Sequence, residues 1–145
     1  MRLVLQLELP ADARVLPATR QAVEGYLANL GTGEDERADV VLALNEACAN
    51  AIRHAFPRPE GACFRLVTVI TDADVQVSVE DDGVGFDPDD VPAKVGAYDT
   101  SGRGLFIMNE MMNLVELVSP TESGGTRVVM TKALSRAPRR SRATG

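Results

Sequence analysis

Residues 2–9 alternate without a break: Leu3, Leu5, Leu7 and Leu9 fall on one side of an extended chain, and Val4, Gln6 and Glu8 on the other. Period-2 patterning of this kind is the signature of a half-buried strand, so the fold must start by laying one face of a sheet on something apolar. The next apolar periods are helical. Ala22, Val23, Tyr26, Leu27 and Leu30 predict an amphipathic helix over residues 18–30 that stops at Gly31. Ala38, Val41, Asn45, Cys48 or Ala49, and Ile52 predict a longer one over residues 36–55, ended by Pro57 and Pro59. Residues 63–71 and 75–80 then read as two strands joined by a tight connection.

From residue 81 to 102 the chain is rich in Gly, Pro and Asp and has no period, too long a stretch for a mere connector. Residues 104–113 resume a helical pattern, in which Phe106, Ile107, Met108, Met111 and Met112 are expected to pack into the core, with contact to a partner as the alternative. Residues 114–119 and 126–134 close the chain as a pair of strands around a turn at residues 122–125. The order β, α, α, β, β, loop, α, β, β contains no repeat. It predicts an α+β fold, with helices layered on one face of a mixed, mostly antiparallel sheet.

A chain of 145 residues suffices for one domain with a core that needs no covalent staples, since about 70% of the unfolded surface is buried at this size. Cys48 and Cys63 form no C-x-x-C pair and cannot make a zinc site on their own. No apolar run reaches the roughly 20 residues of a bilayer span, and the N-terminus alternates where a signal peptide would be basic and then apolar. The expectation is a reduced, cytoplasmic protein without a membrane partner. The formal charge is −6, yet the last ten residues hold Arg136, Arg139, Arg140 and Arg142 and no acid, leaving the body at −10. Such a body is a poor partner for nucleic acid. The chain thus divides into residues 1–134, a folded domain, and residues 135–145, a basic tail expected to be disordered.

Four clusters carry chemistry. On the second predicted helix, Glu46, Asn50 and His54 repeat at i, i+4 and i+8, with Asn45 beside them. An amide oxygen suits magnesium beside phosphates, and a carboxylate one turn away can deprotonate an attacking hydroxyl. After the third predicted strand comes Glu80-Asp81-Asp82-Gly83-Val84-Gly85-Phe86, where D-x-G-x-G begins at Asp81 and D-G-x-G at Asp82. Paired glycines let a flat ligand approach the backbone, and a fixed carboxylate can accept from an exocyclic amine such as that of adenine. Ser101-Gly102-Arg103-Gly104-Leu105 precedes a helix whose free N–H groups favour phosphate, although the Gly-Lys-Ser/Thr ending of a Walker loop is missing. Gly124-Gly125-Thr126 enters the last strand.

The order E-x-x-x-N-A-x-x-H, D-D-G-x-G-F, G-x-G-L, G-G-T-x-V resembles the Bergerat-fold ATPases of the gyrase and histidine-kinase type, and within them the stand-alone anti-sigma factor serine-protein kinases. The likeness spans roughly residues 2–134. It implies a two-layer α/β sandwich binding ATP with magnesium. By that resemblance, Asn50 holds the metal against the phosphates and Glu46 is the general base. Asp82 reads the adenine amino group, with Asp81 as a second acid beside it and the D-G-x-G alignment favouring Asp82. Gly83 and Gly85 lie beside the ring, Gly102 and Gly104 under the phosphates, and Thr126 beside the adenine site. Residues 86–101 would form a lid. Arg103 falls inside the glycine box, with the terminal phosphate as its candidate contact and solvent or a partner as the alternatives. His54 fits the pattern without a catalytic role.

The resemblance further implies a kinase that sequesters a sigma factor and phosphorylates a serine on an anti-anti-sigma antagonist, and that works as a homodimer, for which an exposed sheet edge is a physical motive. The alternative is a nucleotide-sensing, partner-binding regulator without kinase activity, against which the retained Glu46 speaks. A sensor histidine kinase fragment would need a phosphoacceptor histidine, and the only histidine, His54, sits inside the motif helix.

Overall fold

The computed structural model describes residues 1–54, 61–82, 104–122 and 124–135. The elements run β1 (Arg2–Pro10), a single 3₁₀ turn (Ala13–Val15), α1 (Leu16–Asn29), α2 (Glu34–His54), β2 (Cys63–Thr71), β3 (Asp74–Asp81), α3 (Gly104–Met111), β4 (Leu114–Val118) and β5 (Thr126–Ala133). The strands form one five-stranded sheet in the order β1-β2-β3-β5-β4, with every described pairing antiparallel. This is the expected two-layer α+β sandwich, and its strand boundaries fall within about two residues of those read from the alternation.

Local chemistry explains where the helices begin and end. Asp12 caps the 3₁₀ turn by accepting the Arg14 amide at 2.9 Å, and hydrogen bonds from the Arg14 side chain and amide lower its carboxyl to about 2. Pro17, in the first turn of α1, has no N–H to leave unpaired, and Gly31 takes the φ of +81° that lets the chain leave that helix. Glu34, Asp35 and Glu36 occupy the positive end of α2, while Arg53 and His54 occupy its negative end.

The core lies between the helices and the inner face of the sheet, where Val75, Val77 and Val79 of the central strand β3 meet Leu66, Ile70, Val128 and Met130. From the helices come Val23 and Leu27 of α1, then Val40, Ala43, Leu44, Ala47 and Ala51 of α2. The buried stripe of α2 is therefore rotated from the expected one, because this helix packs against α1, α3 and β3 at once. Ala38, Val41 and Asn45 instead line the groove toward α1. Tyr26 of α1 and Leu30 just past its end are exposed, as is Phe106 of α3, which corrects its assignment to the core; Met108 and Met112 are buried as expected. Lys132 ties three elements together: its Nζ donates to Asp39 of α2 at 2.9 Å and to the Met111 carbonyl of α3 at 2.8 Å.

Candidate functional site

Inward alternation along β3 runs Val75, Val77, Val79 and then Asp81, so the strand delivers a carboxylate to the helix-covered face at its end. Asp81 is 4% exposed. Its partner across β5 is Thr126, also buried, whose Oγ1 lies 3.0 Å from the buried Ser119 Oγ. From the last turn of α2, His54 brings Nδ1 to 4.0 Å from Asp81 Oδ2. The face of α2 that carries His54 also carries Asn50 one turn back and Glu46 one turn further. The end of α2, the end of β3 and the start of β5 thus converge on one corner of the sandwich.

Asn50 is fully buried. Its Oδ1 accepts from Arg53 Nη2 on the following turn, whereas its Nδ2 is buried without a hydrogen-bond partner. A half-satisfied buried amide costs about 1–3 kcal/mol, a cost that makes sense where a ligand completes it. Glu46 is half-buried. Asn45, singled out with these residues, belongs elsewhere: its Oδ1 accepts from Arg20 Nη1 of α1 at 2.7 Å.

Asp82 does not face this corner. Its carboxylate accepts from Arg65 Nη2 at 3.1 Å and Nη1 at 3.4 Å, and Arg65 stands on the outer face of β2, also 3.4 Å from Glu80. The hydrogen bonds that Arg65 donates to Asp82, and then its pairing with Asp82 and Glu80, hold the guanidinium above its ordinary range. The acid turned toward α2 is Asp81, so strand sidedness favours Asp81 where the D-G-x-G alignment favours Asp82. The signal was present in the sequence: continuing Val75, Val77 and Val79 by two residues reaches Asp81.

Gly125, by sequence alone part of a turn, holds a tighter place in the structure. A Cβ built there would lie 1.8 Å from the Asp81 carbonyl oxygen and 2.9 Å from the Asp82 Cα. Only glycine lets the start of β5 approach the end of β3 this closely. Gly104 is buried at the first residue of α3. Gly83, Gly85, Gly102 and Arg103, and the lid expected over residues 86–101, lie outside the described residues.

The fold and this corner define a class: an α+β sandwich with a buried acid at the end of its central strand and a buried amide on its longest helix. Residues 9–132 match the family described as histidine kinase-like ATPase domain, and the chain belongs to that family. Its relatives include a serine-protein kinase RsbW of Bacillus cereus (strain AH820), 28% identical over 141 residues that cover 91% of this chain and 86% of the relative. The serine-protein kinase RsbW of Bacillus thuringiensis (strain Al Hakam) matches with the same identity and coverage.

Among solved structures, the RsbU and RsbW domains of Rv1364c from Mycobacterium tuberculosis superpose with a TM-score of 0.69 at 22% identity, over 93% of this chain. The present chain spans 33% of that longer one. The SiaB-SiaC complex from Pseudomonas aeruginosa shares the fold at a TM-score of 0.63 and 14% identity, with 89% of each chain covered.

The residues present fit the ATP and magnesium that this family implies. Asn50 offers a buried amide with an unpaired end, and Asp81 offers a buried carboxylate at the strand end, which Gly125 lets the start of β5 approach closely.

Proposed function

We propose that this chain is an ATP-dependent protein serine kinase and anti-sigma factor, which sequesters a sigma factor and phosphorylates a serine on an anti-anti-sigma antagonist. The observation that carries the reading is the convergence of Asn50, Asp81 and Thr126 on one buried corner of a histidine kinase-like domain. Relatives named serine-protein kinases support it. The same reading includes a homodimer in the cytoplasm; among the described residues no helix is long and apolar enough to cross a membrane.

In this mechanism Asp81, rather than Asp82, accepts a hydrogen bond from the adenine amino group, with Thr126 beside it. Asn50 would hold magnesium through its amide oxygen, which requires the Arg53 guanidinium to give up its present contact. Magnesium, when bound, neutralises phosphate charge. Gly83 and Gly85 would flank the base, and Gly102, Arg103 and Gly104 would receive the phosphates. Glu46 takes the proton of the substrate serine hydroxyl as its oxygen bonds to the terminal phosphorus, and the bond to the bridging oxygen breaks to leave ADP.

Incubation with γ-labelled ATP, magnesium and candidate antagonists tests the reading. The expected result is label on an antagonist serine, reduced about 10²–10⁴-fold in Glu46→Gln with nucleotide binding retained. Nucleotide binding without label on any serine would leave the binding-only regulator.

A further inference from the structure

The inner face of the sheet changes character from one row to the next. Val79 of β3 stands opposite Val128 of β5, and Val128 opposite Leu117 of β4, so this row is apolar. Two residues further along β3, Asp81 stands opposite Thr126. The pairing of Leu117 with Val128 and of Val118 with Arg127, carried one step beyond β4, sets Ser119 against Thr126. Their hydroxyl oxygens are 3.0 Å apart. Three neighbouring strands thus turn polar in the same row, and Asp81, Thr126 and Ser119 are all buried.

Burying polar groups is costly unless they are hydrogen-bonded, and packing alone would be served by alanine at residue 119. The hydroxyl therefore calls for a task. A carboxylate only accepts hydrogen bonds, whereas a hydroxyl has one proton to give and two lone pairs. Either member of the Ser119–Thr126 pair can be the donor, and the direction decides what Thr126 can offer a ligand. If Thr126 gives its proton to Ser119, it faces the ligand as a second acceptor beside Asp81. If Ser119 gives its proton to Thr126, the Thr126 proton is free, and the row presents an acceptor beside a donor. That order complements adenine, whose amino group donates and whose adjacent ring nitrogen N1 accepts. Guanine carries the reverse order.

We propose that Ser119 is a positioning residue of the adenine site: it donates to Thr126 Oγ1 and so turns the Thr126 proton toward N1, directly or through one water. Ser119 acts through Thr126 and does not itself touch the base. The inference rests on the ATP reading proposed above and adds to that site a residue just past β4, outside all four sequence motifs.

Titration calorimetry of the full chain with ATP and with 1-deaza-ATP, in which N1 is replaced by a C–H group, tests this. Only a group that serves N1 tells the two nucleotides apart. The expected result is that the wild-type chain binds ATP about five- to tenfold more tightly than 1-deaza-ATP. Ser119→Ala should narrow that ratio to within about twofold by weakening ATP while leaving 1-deaza-ATP unchanged. Ser119→Cys fills nearly the same space with a weaker donor and should fall between the two, which supplies a second variant if alanine unfolds the chain.

Equal affinity of the wild-type chain for both nucleotides would overturn the proposal. So would a variant at residue 119 that keeps the wild-type ratio, or one that weakens both nucleotides alike, as a merely structural role would. A wild-type chain that takes up no ATP would overturn the ATP reading and this inference together, whereas ATP uptake with a ratio indifferent to Ser119 would overturn the inference alone.

Discussion

Asp81 and Asp82 are adjacent, and the pleat sends them to opposite sides of the sheet, one beside His54 and the other onto Arg65. Removing the Asp82 charge should therefore act at the surface. Asp82→Asn is expected to leave ATP affinity within about threefold of wild type by calorimetry, and stability within about 0.5 kcal/mol, as for other exposed pairs. Gly125→Ala is expected to be far more damaging. Its Cβ would meet the Asp81 backbone at 1.8 Å, with no flexible side chain to yield. A loss of about 2–3 kcal/mol in urea unfolding is predicted, with weakened nucleotide binding because β5 must move away from Asp81.

The two thiols differ as well. Burial pushes the Cys48 thiol up to about 12, so at pH 8 a native-state thiol reagent should modify the half-buried Cys63 and spare Cys48 until the chain unfolds.

At the scale of elements, the strands were legible because one face of the sheet is covered and the other is not. Residues 2–9, 63–71 and 75–80 each carry their own period-2 record of that asymmetry. The helices were legible in extent but less so in orientation. An alanine-rich helix covered from several sides has no single apolar stripe, and the reading of α2 picked the row facing α1 over the row facing the core. The two acids Asp81 and Asp82 pose a related problem, because the motif alignment favours one and the alternation of the strand the other. Phe106 breaks the rule that large aromatics go inside, and nothing in its neighbours' spacing distinguishes it from Met108.

Two elements also yield predictions. The inner face of β2 buries the Thr68 hydroxyl with no partner, so Thr68→Val should raise stability by about 1 kcal/mol in urea unfolding. The start of α2 is tied to the segment just after β5 through Ser135, whose hydroxyl donates to Glu36 Oε1 at 2.5 Å and whose amide donates to it at 2.7 Å. The hydroxyl first, and then the amide, hold the Glu36 carboxyl below its usual 4.5. A carboxyl lowered on folding adds stability that is complete above its unfolded pKa and is lost as pH falls through the lowered one. Thermal melts of Glu36→Gln should therefore fall below wild type at neutral pH and converge with it in acid.

For the whole molecule, the account rests on a single corner where a helix end and two strand ends meet. The order of motifs along the chain was enough to imply the family whose model matches residues 9–132. The sidedness that separates one acid from its neighbour is carried by the alternation of β3, and the register adds the buried Thr126 opposite Asp81. Titration calorimetry of ATP, with and without magnesium, into wild type, Asp81→Asn and Asn50→Ala tests that corner most directly.

The account predicts that Asp81→Asn loses about ten- to a hundred-fold in affinity under both conditions, equivalent to about 1.5–3 kcal/mol, while Asn50→Ala loses chiefly the magnesium-dependent part. Wild-type affinity in Asp81→Asn, or no uptake of ATP by the wild-type chain, would contradict it.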